Sequence, residues 1–358
     1  MIVDKDYCIS SFLMYRLIHD ENKTFADGIF PNIVKPFTDR IPIKTSLQLE
    51  DALRSQVEGC VADGKTVIAL SGGIDSAILA KMMPKGSKAY TFRCIVPGVE
   101  VTNEVPMAKR YAEECSLEHE IIDVYWEDFE KYAPMLMKHK GAPIHSIEVQ
   151  IYKAALKAKA EGFERVLYGE SADCVFGGLS KILSQDWKIG DFIDRYQYVA
   201  PYKVLRKPKY VLEPFIRHEK NGYIDTHGFL SAEFYKESIN SYINASQTAG
   251  VEVVMPYAHC ILEGELDYSR VRNGENKYLV REVFKRLYPN FVIPPKTPMP
   301  RPMNEWFANW QGPIRNEFYP HCTDNMSGDQ KWLVWVLERF LNMISVADAV
   351  KGEKDDEI

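Results

Sequence analysis

The stretch that most narrows what this chain can fold into is TVIALSGGIDSAILA, residues 66–80. Its opening run, TVIAL, is apolar and β-rich without a polar break, as expected of a strand covered on both faces of a sheet. Ser71, Gly72 and Gly73 end the run, and a helical pattern restarts at once around a single acid, Asp75. A strand passing into a helix through two glycines describes a phosphate cradle. The glycines are expected to turn with positive φ and let the backbone approach an anion, while the first helical N–H groups present about half a positive charge to it. Ser71 and Ser76 would add hydroxyl donors. The lysine with which a Walker loop meets phosphate is absent. Asp75 would repel a bare phosphate, so its presence predicts Mg²⁺, which a carboxylate and phosphate oxygens can share.

Beyond this loop, strand-like runs at 66–70, 89–95, 119–125 and 164–169 alternate with helical patterns that reach about residue 83 and cover 105–116, 126–138 and 146–160. Such alternation predicts an α/β fold, a parallel sheet of about five strands with helices on both faces. Ligands of these sheets sit at the carboxyl edge. A second loop, GESAD at 169–173, falls at that edge too, so Asp173 is expected to supply a second Mg²⁺ ligand, with Glu170 beside it. The structural alternative for Asp173 is a helix N-cap.

Past residue 180 strand signals thin out. The remainder reads as mainly helical, with helices near 276–288 and 329–350 whose Trp and Leu spacing suits a core. The expected organisation is an irregular lead-in over 1–62 that ends in one helix at 46–64, a nucleotide domain over 63–350, and a frayed charged tail, KGEKDDEI, at 351–358.

Composition excludes several classes. No run approaches the ~20 apolar residues of a membrane span, and MIVDKDYCIS lacks the pattern of a signal peptide, so a cytoplasmic location is expected and no membrane partner. A net charge of −6 argues against a dedicated nucleic-acid binder, which leaves the basic YKVLRKPK at 202–209 as solvated surface. The seven cysteines (8, 60, 94, 115, 174, 260, 322) form no C-x-x-C pair, so buried thiols are expected rather than disulfides or a clustered metal site.

Four stretches carry a resemblance to the synthetase domain of asparagine synthetases. LSGGIDSA matches that family's pyrophosphate loop, and LYGESADCVFGG at 167–178 resembles its L-S-G-E-G-A-D-E-L-F-G-G. RNGENKYLVREVFKRLYP at 272–289 and IPPKTPMPRPMNEWF at 293–307 resemble its next two conserved regions, so the likeness spans most of residues 60–310. It implies an adenine nucleotide alpha hydrolase-like fold and an ATP pyrophosphatase that leaves AMP on a substrate carboxylate before an amine attacks. ATP and Mg²⁺ are the implied cofactors; the implied partners are a small carboxylate and ammonia or an amine. By the resemblance, Asp75 and Asp173 hold the metal, and Ser71, Gly72, Gly73 and Ser76 cradle pyrophosphate. Leu70, Phe92 and Gly169 flank the adenosine. Glu170 lies by the reacting carbonyl, and Lys277 offsets charge during adenylate formation.

SSFLMYRLIHDENKTFADGIFPN at 10–32 resembles the close of the family's glutaminase domain, and residue 2 is Ile where the family has its nucleophilic Cys. No glutamine hydrolysis by these residues is expected, which leaves room for a separate glutaminase subunit; a homo-oligomer is also open.

The acceptor-binding segment departs most. INASQTAGVEVVMPYAH at 243–259 keeps Glu252 and Pro256, but the family's Asp-Arg pair is Ile243 and Asn244, its arginine is Val254 and its last aspartate is His259. An arginine that grips a carboxylate cannot become valine without leaving that carboxylate unpaired, so aspartate is not the expected acceptor. Glu252 and His259 remain the candidate substrate contacts, and Cys174 stands where the family has glutamate. Two other readings keep the loop: a tRNA-modifying enzyme, and a catalytically silent nucleotide-binding subunit.

Overall fold

A computed structural model describes residues 1–296 and 298–355, with side chains up to 345. The expected sheet is present. Five strands, β1 (Thr66–Ala69), β2 (Lys88–Cys94), β3 (Glu118–Val124), β4 (Arg165–Leu167) and β5 (Glu252–Val254), pair in parallel in the order β5-β4-β1-β2-β3. All four residues of β1 are buried, as a central strand covered on both faces requires. The chain runs outward from β1 to β3 and then returns to the other side of β1 to make β4. Loops leaving β1 and β4 therefore diverge at their carboxyl ends, the switch point at which open α/β sheets hold ligands.

β5 was not among the expected strands. It lies inside the segment read as the acceptor contact, and three residues of mixed polarity give no period to detect.

The helices that position the site are α1 (Lys5–Tyr15), α2 (Ser46–Val61), α3 (Ile74–Ala80), α4 (Val105–Cys115), α5 (Trp126–Lys140), α6 (Ile147–Ala160), α7 (Ala172–Val175), α8 (Tyr235–Ala249), α9 (Tyr278–Leu287) and α10 (Gly328–Asp355). α2 begins with a capping box in which Thr45 and Gln48 satisfy each other's backbone N–H groups. α1 differs from the irregular lead-in expected. Every residue from Tyr7 to Tyr15 is buried, and a helix that is covered all round shows no amphipathic stripe in its sequence.

The expected C-terminal helix is present as α10, and Trp332 and Trp335 pack with Trp126 and Phe129 of α5 in one aromatic cluster. The charged end read as a frayed tail begins on this helix, whose bounds reach Asp355; residues 356–358 lie outside the described part. Among the described residues no helix is long and apolar enough to cross a membrane, and the seven cysteines are free thiols.

Candidate active site

A cleft of about 900 Å³ opens at the carboxyl ends of β1, β2 and β4. Its lining includes Leu70, Ser71, Gly72, Gly73, Asp75, Ser76, Phe92, Gly169, Glu170, Asp173 and Lys277, so the structure brings these sequence-selected residues together. Glu252 and His259 are not among them. Glu252 is exposed at the amino end of β5, opposite Arg165 at the start of β4, and in a parallel sheet that is the edge away from the cleft. His259 stacks on Phe37 of the lead-in with ring centroids 4.1 Å apart.

The loop after β1 is held by its own serines. Ser76 Oγ accepts the Ser71 N–H at 3.0 Å and shares a 2.8 Å hydrogen bond with Ser71 Oγ, which in turn accepts the Gly73 N–H at 3.1 Å. Neither Gly72 nor Gly73 has the positive φ expected from the sequence; Gly73 is extended, with φ −87°. The glycines serve close approach instead. A Cβ on Gly72 would lie 3.3 Å from Glu104 Cβ. The second loop is pressed onto the first, since a Cβ on Gly169 would lie 2.7 Å from the Ser76 nitrogen.

That contact brings two carboxylates to one point. Lys277 Nζ donates to both oxygens of Asp75, at 2.8 and 2.6 Å, and lies 3.0 Å from Asp173 Oδ1. Lys296 Nζ takes the other Asp173 oxygen at 2.6 Å. Lys277 is no solvated helix cation: its side chain is 7% exposed and its backbone, in the left-handed region at φ 53°, forms the N-cap of α9. Desolvation would lower the Lys277 pKa, but the Asp173 and Asp75 charges outweigh it and hold the ammonium protonated. Desolvation likewise opposes ionisation of Asp173, yet Lys277 and Lys296 together bring it down to about 2. Burial pulls Asp75 the other way, upward, with Lys277 as its chief compensation.

Glu170 forms the second feature. Its carboxylate accepts hydrogen bonds from Ser238 Oγ at 2.5 Å and from the Ser171 N–H at 2.8 Å, and Tyr242 lines the cleft with it. Burial raises its pKa despite these donors. Ser238 and Tyr242 lie four residues apart on α8, hence on one helix face. α8 itself follows a π-helical turn, Leu230–Phe234, an irregularity frequent near functional sites.

Several cleft residues have no counterpart in the sequence reading: Glu104, Arg110, Tyr242, Arg281 and Lys296. The i, i+4 pair of Ser238 and Tyr242 was the detectable signal, though only with Glu170 already placed opposite it. Cys174, by contrast, points into the core. Its thiol donates to the Ser171 carbonyl at 3.2 Å, and burial pushes its pKa well up, so it is no thiolate.

The asparagine synthase family matches residues 48–334, well over half of the chain. None of the curated proteins compared matches. Among solved structures, the chain is similar to an NH3-dependent NAD synthetase from Campylobacter jejuni, with 16% identity and a TM-score of 0.25, covering 37% of this chain and 60% of that one. An NMN synthetase from Francisella tularensis matches at 11% identity and a TM-score of 0.27, over 71% of this chain and 100% of the other. A U34-tRNA thiolase from Methanococcus maripaludis matches at 13% identity and a TM-score of 0.25, over 70% and 82%.

Proposed function

Because the chain belongs to the asparagine synthase family, we propose that it is an ATP-dependent ligase that joins a carboxylate to ammonia or an amine and releases AMP and pyrophosphate. The observation that carries this reading is the shared cation. Asp75 and Asp173, from loops about 100 residues apart in sequence, both contact the Lys277 ammonium at the switch point of the sheet.

Asp75 and Asp173 are the residues that would hold Mg²⁺. Both carboxylates already converge on one cation, the Lys277 ammonium, and two carboxylates so placed would suit a hard divalent cation. When bound, the metal supplies neutralisation of the charge that builds on the departing pyrophosphate. The protein's own work is then positional and electrostatic.

Leu70 and Phe92 give the adenosine an apolar border, and the Ser71–Gly73 loop meets the pyrophosphate end. Lys277, freed from its carboxylates, offsets charge at the α-phosphorus as the substrate carboxylate attacks it. Glu170, with its raised pKa and two donors fixing its orientation, stands ready to orient the amine and take its proton. Val254, in place of the family's arginine, offers no charge or donor to a carboxylate; this supports an acceptor other than aspartate.

The test is product analysis with ATP, Mg²⁺, ammonium and a panel of small carboxylates. AMP and pyrophosphate in equal amounts, together with an amide, are expected for at least one acid. ADP with phosphate, or nucleotide cleavage that requires tRNA, would overturn the proposal.

A further inference from the structure

The lead-in grips α8 on both sides of Ser238. His19 Nδ1 lies 3.4 Å from a Glu233 oxygen on the π-helical turn, and Lys236 Nζ donates to Glu21 at 3.1 Å. Arg16 Nη2 donates to Glu237 Oε2 at 3.0 Å, and the Val34 N–H donates to Asn240 Oδ1 at 3.2 Å. Ser238, whose hydroxyl holds Glu170, sits between the last two of these grips. Arg16, His19, Glu21 and Val34 all precede residue 48, where the family match begins.

Arg16 is the most elaborate of these contacts. It ends α1 in the left-handed region, at φ 59°, where glycine is the usual residue, so what the side chain binds has to offset backbone strain. Its side chain is 12% exposed, the guanidinium lies 3.8 Å from the centroid of the Tyr198 ring, and Nη1 is 2.6 Å from His145 Nε2. A guanidinium only donates, so His145 Nε2 accepts and the ring is neutral, its proton on Nδ1 and 3.7 Å from Glu237 Oε1. Arg16 and His145 thus face the two oxygens of Glu237, a buried carboxylate that cannot leave its cation without a large cost. Ser238 is the next residue along α8. Setting Glu237 against Arg16 therefore sets the turn of helix that presents Ser238 Oγ to Glu170.

We infer that Arg16 is a positioning residue for amide formation, acting through Glu237 and Ser238 on the Glu170 carboxylate. The inference rests on the reading of the cleft as the site of a carboxylate–amine ligase. It gives a segment outside the family-matched stretch a part in the second half-reaction and none in the first, since among the described residues no lead-in residue lines the cleft.

The experiment follows ATP–pyrophosphate exchange and amide formation side by side in the full chain, with the activating carboxylate and ammonium. Removing Arg16 alone would leave the Glu237 carboxylate buried without a cation, so Arg16→Met is made together with Glu237→Gln. Asn240→Ala removes the Val34 contact, leaves the ion pair intact and gives an independent arm. The paired variant is expected to lower kcat for amide formation by ~10-fold and Asn240→Ala by ~3-fold, with exchange within about 2-fold in both. Arg16→Lys, which keeps a cation for Glu237 but not the planar fork, is expected to stay within about 3-fold of wild type in both rates. Adding Ser238→Ala to the paired variant should cost no more than about 2-fold further, because both changes act through one contact. Without substrate, amide hydrogen exchange should quicken in α8 and not in α3. Equal falls in the two rates, undiminished amide formation, α8 amides no more labile than before, or losses that multiply with Ser238→Ala would each overturn the inference and leave the ligase reading standing. Absence of exchange and of amide formation by the wild-type chain with every carboxylate tried would instead overturn that reading and this inference with it.

Discussion

The two halves of the cleft are built differently. On the side of Asp75, Asp173 and Lys277, the groups come from the first turns of α3 and α7 and the N-cap of α9, and they contact one another through a single ammonium. On the side of Glu170, the partner Ser238 comes from the interior of α8, a helix buried along nearly its whole length. The first side is thus a property of short motifs; the second is a property of how α8 and β5 dock against the loop after β4. A chain can keep the first intact while residues 243–259 change, because almost none of the changed side chains enter the first.

This contrast can be broken by mutation. The largest effect is expected from Lys277→Ala, which leaves Asp75 and Asp173 facing each other without their cation. ATP–pyrophosphate exchange should fall by at least ~10³-fold, a loss typical of removing a group that stabilises developing charge. Mg²⁺ alone should raise the melting temperature of this variant more than that of wild type, since the seat between the carboxylates is vacated. Undiminished exchange, or equal metal response in both proteins, would show that Lys277 does not hold that seat.

A smaller and more selective effect is expected from Ser238→Ala. Ser238 positions Glu170 rather than reacting, so amide formation should slow by ~10-fold through loss of a hydrogen bond to a charged group, while pyrophosphate exchange stays within about 2-fold. A parallel fall in both rates would mean that the two sides of the cleft are not separable. Smallest of all is Glu252→Gln. At the amino end of β5 it should leave both rates within about 2-fold, and a loss of amide formation alone would restore it as an acceptor contact.

What was legible in the sequence divides along the same line. TVIALSGGIDSAILA and LYGESADCVFGG disclosed the strand-to-loop transitions, the parallel sheet and both aspartates that meet at Lys277, because apolar runs, glycines and acids stand next to each other in the chain. The positive φ expected of Gly72 is absent; a side chain there would instead crowd Glu104. Lys277 was legible as a candidate cation of the cleft, but not as the ion shared by Asp75 and Asp173 across about 200 residues. α1 escaped notice because it is buried all round, and β5 because it is three residues long. Lys296 sits in a proline-rich segment without period, and only the tertiary fold sets it on Asp173.

The central claim is that Asp75 and Asp173 act on one shared metal. ATP–pyrophosphate exchange in Asp75→Asn, Asp173→Asn and the double variant, with the activating carboxylate present, tests it most directly. Residues that serve one unit are strongly non-additive, so each single substitution should cost at least ~10³-fold and the double no more than either alone. A single variant retaining exchange within about 10-fold of wild type, or losses that multiply in the double, would contradict it.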